Sequence, residues 1–280
     1  MVIFNEKEKL TPAIVELKNQ NKTIGFIPTM GALHEGHMSL VKASKAQNDY
    51  TIVSIFVNPT QFNNPEDLEK YPRTEEKDIE LLTKNGCDFV YLPTVNDLYA
   101  TGEVAKKYDF GTIDKVMEGA SRPGHFDGVA TIVSKLFRAA KPTRAYFGEK
   151  DFQQVRIIQE MVKQENLNVE IVPMPIYRAD TGLAFSSRNA RLSEQETNDA
   201  PQIYSILSKA VALKNDGKDV NEVIKFVKDE FTQSPFELEY FEITNENTLE
   251  TIQHFSEAKN IRGFVVAYAG DVRLIDNIKF

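Results

Sequence analysis

The 280 residues contain a single cysteine, Cys87, so neither an internal disulfide nor a cysteine-based zinc site can form. Set in KNGCDFVYL, just ahead of a strand-like run, it reads as a small buried thiol rather than a nucleophile. There is no excess of positive charge: 33 Lys and Arg stand against 41 Asp and Glu, a net charge of −8. That balance argues against a broad phosphate-backbone footprint and hence against a nucleic-acid partner. It leaves room for a small anion held by a local cluster of cations and backbone N–H groups. No apolar run approaches the roughly eighteen residues of a membrane span. The opening MVIFNEKEKL lacks the basic-then-apolar order of a secretion signal, so the expected location is cytoplasmic, with no membrane partner. Internal repeats and low-complexity tracts are missing as well. Histidines number only four, which makes their placement informative.

What is present is an ordinary globular composition, 41% apolar and 26% charged, with length for a substantial core in one large or two modest domains. Short apolar runs at 23–28, 51–57, 88–92, 145–148 and 169–174 read as strands. Segments 36–48, 73–86, 126–140 and 151–166 between or beside them have helical spacing. In the first, Met38, Val41 and Ala46 fall near one face; the second begins acidic and ends in Lys and Gly, as the helix dipole favours. Strand–helix alternation of this kind predicts an α/β fold built on an open parallel sheet with helices on both faces, where ligands bind beyond the carboxyl ends of the strands at a switch in strand order.

The pattern changes after about residue 176, with the link expected near 173–180. A helix is predicted over 193–215, opened by the capping box Ser193-Glu194-Gln195-Glu196, and another over 220–231. Strand-like segments come next at 236–243, 262–269 and 272–278, with a hairpin turn at 269–271, which together suggest a smaller α+β domain.

Five segments carry chemistry. PTMGALHEGH (28–37) lies between a strand and a helix and holds two of the four histidines, His34 and His37. A helix start offers unpaired N–H groups to an anion, Gly31 and Gly36 permit close backbone approach, and two imidazoles can stabilise charge on a leaving pyrophosphate. The competing reading is a helix-capping turn with two surface histidines. GLAFSSRNARLS (182–193) supplies Ser186, Ser187 and Arg188, which suit a triphosphate but also suit an ordinary loop. FGEKDFQQ (147–154) puts Lys150 at a helix entrance with Gln153 and Gln154 in the first turn, either of which can face a cleft; a solvated charged turn is the alternative. In SIFVNPTQF (54–62), Asn58 and Gln61 are amides able to read a small polar substrate, unless the segment is a bare turn. GASRPGHFDGV (119–129) joins Arg122 and His125 with three glycines, in a cationic or merely structural loop.

In this order and spacing, PTMGALHEGH, VNPTQF, YPRT, RPGHFDGV, YFGEKDFQQ and GLAFSSRN, with RLIDN (273–277) near the end, resemble the pantothenate synthetase family of the nucleotidylyltransferase superfamily. The resemblance implies a Rossmann-like domain over residues 1–176 for ATP and pantoate and a smaller α+β lid over 177–280, assembled as a homodimer. It implies that ATP, with Mg²⁺, adenylates pantoate, and that β-alanine then attacks the adenylate to release AMP. Carried over by position, Met30, Gly31, Ala32, Leu33, His34, Glu35, Gly36 and His37 would line the ATP site, with His37 as general acid to the leaving group and His34 beside it. Gly148, Glu149, Lys150 and Asp151 would also bind ATP, Lys150 on the phosphates, and Tyr177, Phe185, Ser186, Ser187 and Arg188 would complete that site. Gln61 would contact pantoate and β-alanine and Gln154 pantoate, with Asn58 nearby. Asp78 and Tyr71 stand where the family places groups near the metal. Phe185 replaces a usual Met, and Lys77 stands where some members carry another acid. Phe56, Val129 and Val133 are candidates to surround the gem-dimethyl group of pantoate. Two other functions fit the nucleotide motifs alone: transfer of AMP to a phosphate, and a non-catalytic nucleotide sensor. Against the first, the amides at 58, 61 and 154 look more like readers of a small polar acid than a phosphate clamp; against the second stands the full set of His34, His37, Lys150, Ser186, Ser187 and Arg188.

Overall fold

The structure, a computed structural model, describes residues 1–62 and 65–280. In chain order its elements are β1 Val2–Phe4, α1 Lys7–Asn19, β2 Ile24–Thr29, α2 Glu35–Gln47, β3 Tyr50–Ile55, α3 Pro65–Glu69, α4 Glu75–Lys84, β4 Phe89–Tyr91, α5 Val95–Leu98, α6 Met117–Ser121, α7 His125–Ala140, β5 Arg144–Gly148, α8 Phe152–Gln164 and β6 Glu170–Met174. After these come α9 Glu194–Asp199, α10 Pro201–Asn215, α11 Val220–Thr232, β7 Glu237–Asn245, β8 Ile261–Ala269 and β9 Val272–Lys279. They form two compact units, Met1–Glu149 with Gln153–Pro175, and Lys150–Phe152 with Ile176–Phe280. No helix among the described residues is long and apolar enough to cross a membrane.

The first unit is built on a six-stranded parallel sheet ordered β1-β4-β3-β2-β5-β6. Because side chains alternate along a strand, neighbouring residues feed opposite cores. Phe26, Ile52, Tyr91 and Phe147 enter one core with α1, α7 and α8. Ile27, Val53, Val90 and Tyr146 enter the other with α2 and α4. A sheet buried on both faces needs strands that are apolar throughout, as the runs at 51–57 and 23–28 are. Strand order reverses at β2: the chain builds outward through β3 and β4, then returns to place β5 on the other side. The carboxyl ends of β2 and β5 are therefore neighbours at the switch point.

The face of α2 differs from its expected pattern. Met38 and Val41 are buried, but Ala46 is exposed and Ser44 takes the inward position. The physical reason is the helical angle: 38, 41 and 44 advance by three residues along one stripe, whereas 46 falls outside it. Strand β1 and helix α1, which no sequence pattern marked, complete the sheet edge and one helical layer. Cys87 is buried, and burial pushes its thiol up to about 12, which keeps it inert.

The second unit packs α10 and α11 on an antiparallel sheet ordered β7-β8-β9. Its β8–β9 turn pairs Ala269 with Val272 across Gly270 and Asp271, as the sequence predicts. The single helix expected over 193–215 is two, broken before Pro201, which begins α10 where its missing N–H is harmless. The capping box at Ser193 and Glu196 is present, closed in both directions at 3.2 and 2.8 Å.

Glu165, just past α8, ties the long connection 101–116 to α7. Its carboxylate accepts from Lys106 at 2.8 Å, Tyr108 at 2.6 Å and Arg138 at 2.7 Å, and from Ser134. Burial alone pushes this carboxyl upward, but the hydrogen bonds from Lys106, Ser134, Tyr108 and Arg138 outweigh it and hold it at about 2, below the ordinary 4.5. A depressed carboxyl stabilises the fold fully above its unfolded pKa and loses that contribution as pH falls toward the folded value. The melting temperature of the wild-type chain should therefore drop between pH 4.5 and pH 2 more steeply than that of Glu165→Gln, with the two curves converging at the acid end. Parallel melting curves for the two proteins across that range would show that Glu165 does not set the acid limb.

Candidate active site

The loop between β2 and α2 is shaped by a buried anion. Asp78 on α4 is 2% exposed, and its carboxylate accepts the N–H groups of Ala32 at 2.9 Å and Leu33 at 2.8 Å and the Thr74 hydroxyl at 3.1 Å. The backbone presents those two N–H groups because Gly31 and Ala32 both adopt left-handed conformations, φ +85° and +50°. Successive N–H groups turned inward in this way form an anion-holding nest. A Cβ on residue 31 would stand 3.1 Å from Asp78 Oδ2 in a backbone region that L residues avoid, so the position requires glycine. Thr29 anchors the entrance, donating to Ser54 O at 2.8 Å and accepting from Gly31 N at 3.2 Å.

The nest delivers the chain into α2 with His34 as its N-cap. His34 Nδ1 accepts from Gly36 N at 3.2 Å, and His37 Nδ1 accepts from His34 N at 3.3 Å, a reciprocal capping box made of two imidazoles. The rings lie 4.1 Å apart, inclined by 44°. An Nδ1 that accepts a backbone N–H has no proton, so this hydrogen-bond pattern assigns the ring proton of both histidines to Nε2. The capping and chemical readings of this motif thus describe the same geometry: the caps fix the tautomer that makes each ring a donor at the amino end of a helix. Met30 and Leu33 are half-buried around the turn, while Glu35 is exposed in the first turn of α2.

The amides at 58 and 61 divide their work. Asn58 is 1% exposed. Its nitrogen donates to Gly128 O and to Gln61 Oε1, both at 3.2 Å, and its oxygen accepts from Tyr99 at 2.8 Å and Thr60 at 3.1 Å. With its hydrogen-bonding capacity used inside the protein, Asn58 organises the loop rather than reading a substrate. Gln61 is half-buried and points Nε2 at Met30 Sδ, 3.0 Å away, so this residue bridges the 58–62 segment to the histidine loop. His125 is buried at the start of α7 and meets Gln61 O at 2.7 Å; a carbonyl can only accept, so Nδ1 carries the proton here. Gly128 is needed for this contact, because a Cβ there would lie 2.4 Å from Thr60 O. Arg122 pairs with Glu118 at 3.7 Å. Phe56, Val129 and Val133 lie together in the core of this unit.

Of the two glutamines opening α8, Gln153 is the structural one, donating to Ile113 O and Val116 O and accepting from Glu118 N. Gln154 is half-buried. Gly148 ends β5 at the switch point with Glu149 next in the chain, and no atom lies within 4 Å of the place a Gly148 Cβ would take.

In the second unit, Lys150 is half-buried and Asp151 exposed. The backbone of Lys150 is fixed by Asn277, whose amide donates to Lys150 O at 3.0 Å. Arg262, 2% exposed, reaches Asn277 Oδ1, binds Glu246 at 2.8 Å and stacks its guanidinium 4.1 Å from the Phe152 ring. Arg178 makes a two-pronged pair with Asp276 at 2.6 and 2.8 Å and lies 3.8 Å over the Tyr204 ring. This pair roots the 177–191 segment, in which Tyr177 and Phe185 rings stand 5.4 Å apart and Ser186 caps a short turn by accepting Arg188 N at 3.2 Å. Ser187 and Arg188 lie in that turn, both half-buried. Local motif reading missed Tyr99, Arg178 and Arg262; Asp276 and Asn277 were visible only as part of RLIDN.

The donor set does not fit a protein-held metal. Asp78 accepts three hydrogen bonds from within the protein, two of them from backbone, so a role as metal ligand does not suit its geometry. Among the described residues no group of three His, Cys, Asp or Glu could hold an ion.

A parallel sheet whose switch point carries a paired-histidine helix start defines an α/β nucleotide-handling protein. Residues 2–279 match the family described as pantoate-beta-alanine ligase. Curated relatives named pantothenate synthetase include those of Flavobacterium psychrophilum, 49% identical over 99% of each chain, and Bacteroides fragilis, 48% identical over 100% of this chain and 99% of that one. The solved pantothenate synthetase of Thermus thermophilus superimposes with a TM-score of 0.93 at 36% identity, covering 100% and 99% of the two chains. A pantoate-beta-alanine ligase from Francisella tularensis, solved with beta-gamma ATP and β-alanine, gives 0.83 at 37% identity over 100% and 97%. The chain belongs to the pantoate-beta-alanine ligase family.

Removing the anion from the nest leaves two backbone N–H groups buried without their acceptor, at a cost of about 3 kcal/mol. Asp78→Ala should lower the denaturation midpoint accordingly and slow turnover by at least about tenfold, because His34 and His37 lose their fixed approach. Unchanged stability in a urea titration would show that the nest does not depend on this carboxylate.

Proposed function

We infer that the chain is an ATP-dependent ligase that joins pantoate to β-alanine, with pantoyl adenylate as the intermediate. The observation that carries this reading is the pair of adjacent, tilted imidazoles at the start of α2, each with Nδ1 engaged by backbone N–H and its proton on Nε2. In the first step an oxygen of the pantoate carboxylate attacks the α-phosphorus of ATP and the bond to pyrophosphate breaks. Negative charge then grows on the leaving oxygen. His37, with His34 beside it, meets that charge with Nε2–H, aided by the positive end of the α2 dipole. In the second step the β-alanine amine attacks the acyl carbon, the bond to AMP breaks, and the nitrogen sheds a proton as the amide forms. Adenylation is required because an oxide is no leaving group, whereas AMP is a good one.

Gln61 and Gln154 hold pantoate and Gln61 also meets β-alanine in this scheme, with Arg122 and His125 supporting the same region. Met30 through His37 and Gly148–Glu149 meet ATP from the first unit. Lys150, as a point charge, meets its phosphates, with Asp151, Tyr177, Phe185, Ser186, Ser187 and Arg188 completing the nucleotide contacts. Phe185 keeps an apolar surface where the family usually has Met. Mg²⁺ would arrive on the ATP phosphates with most of its waters, consistent with the lack of a carboxylate cage among the described residues. The protein works in the cytoplasm as a homodimer, a reading that rests on its resemblance to the family; light scattering should then give twice the 31.7 kDa of one chain.

Two assays test the reaction. ATP and pantoate alone should release pyrophosphate with adenylate held on the enzyme, and β-alanine should convert this to many turnovers of AMP and pantothenate. No pyrophosphate with pantoate, even with amine and Mg²⁺ supplied, would exclude this substrate. His37→Ala should slow adenylate formation by about a hundredfold or more, the loss typical of a transition-state donor, while near-normal adenylation would remove His37 from that role.

A further inference from the structure

The hydrogen bonds around Asn58 fix the direction of a second amide beside it. A backbone carbonyl can only accept, so the contact with Gly128 O at 3.2 Å identifies that end of the Asn58 side chain as nitrogen. Its oxygen then faces Tyr99 and Thr60, whose hydroxyls donate at 2.8 and 3.1 Å. The Asn58 nitrogen also lies 3.2 Å from the side-chain amide of Gln61. Two N–H groups cannot face each other there, so the Gln61 atom is Oε1. Its Nε2 must point the opposite way, toward Met30 Sδ at 3.0 Å. The main chain of Gln61 is held separately by His125, which leaves the polarity of the amide to this network. Burial pushes the Tyr99 phenol up, so it remains a donor at neutral pH, and the Tyr99 ring is itself buried in the core of the unit.

We propose that Tyr99 is a positioning residue that acts through Asn58 to reinforce the polarity of the Gln61 amide that the Gly128 carbonyl favours, so that Gln61 presents N–H rather than C=O to an oxygen of the carboxylate substrate. The proposal rests on the reading that Gln61 meets pantoate. An anion seeks donors, and a reversed amide would turn a lone pair toward it. With the Tyr99 hydroxyl removed, Asn58 loses its shorter hydroxyl donor; Gly128 O and Thr60 still favour the same orientation but hold it less firmly, and Gln61 samples the reversed amide more often. Tyr99 does not touch substrate in this scheme. Its signature is a change in pantoate binding that depends on Gln61, without a matching change in the nucleotide steps.

The test is a double-mutant cycle on the full chain, with steady-state kinetics in pantoate and in ATP. Tyr99→Phe is expected to raise the pantoate KM about tenfold, the loss of one well-placed hydrogen bond, with kcat and the ATP KM within about twofold of wild type. In a Gln61→Ala background the same substitution should change the pantoate KM by less than about twofold. Thr60→Val, which removes the second hydroxyl from the same Asn58 oxygen, should act in the same direction and carries the test if Tyr99→Phe fails to fold. A Gln61→Ala variant with normal pantoate KM would overturn the reading that Gln61 meets substrate, and the proposal with it. A raised KM in Gln61→Ala beside a normal one in Tyr99→Phe and Thr60→Val would overturn the relay alone. So would equal effects of Tyr99→Phe in both backgrounds, or a loss confined to kcat.

Discussion

Asp78 carries an anion into the first unit, where water cannot reach it, and a desolvated carboxylate costs several kcal/mol unless donors surround it. The donors are the N–H groups of Ala32 and Leu33, and they can converge only because Gly31 and Ala32 turn left-handed. Such a conformation costs about 1–2 kcal/mol at a non-glycine residue. Each unfavourable feature offsets the other: the strained turn supplies the donors, and the carboxylate holds the strain. The next part of the chain depends on that exchange. The turn sets the direction in which the backbone enters α2, the entry makes His34 the N-cap, and the cap fixes both imidazoles with the proton on Nε2.

The segment after β3 is governed by a different principle, close approach without side-chain bulk. Helix α7 touches the 58–62 turn through Gly128, where any Cβ would strike the Thr60 carbonyl. That proximity lets the Gly128 carbonyl reach Asn58 and lets His125 reach Gln61, so a glycine and a histidine three residues apart on one helix control an amide on another element. A polar network this buried is useful only when each member is satisfied, and Asn58, Thr60 and Tyr99 satisfy one another.

In the second unit the ion pair of Arg178 with Asp276 and the amide of Asn277 have a comparable task. One roots the loop that contains Ser186 to Arg188, and the other holds the backbone of Lys150. Both anchors come from consecutive residues of β9, whose alternating side chains reach opposite faces of the sheet. The C-terminal RLIDN segment thus matters for what it supports, although it bears no obvious reactive group.

Residue order alone was enough for the parallel α/β layout, the change of architecture past residue 176, and the candidate residues His34, His37, Lys150 and Ser186 to Arg188. Apolar runs, glycines and capping residues act locally, and their spacing survives in one dimension. The same local patterns misjudged Ala46, ran one helix through Pro201, and left β1 and α1 unassigned, because a short edge strand has little pattern and a stripe of buried positions tolerates Ser44. It took the folded chain to establish that Asp78 is an internal strut, that Asn58 makes its hydrogen bonds inside the protein, that Gln153 is structural, and that Tyr99 meets Asn58. Those assignments turn on which partner each polar group meets far along the chain, such as Tyr99 with Asn58 at a separation of 41 and Arg178 with Asp276 at 98. A hydrogen bond depends on position and direction in space, and a residue's type states only that it can be made.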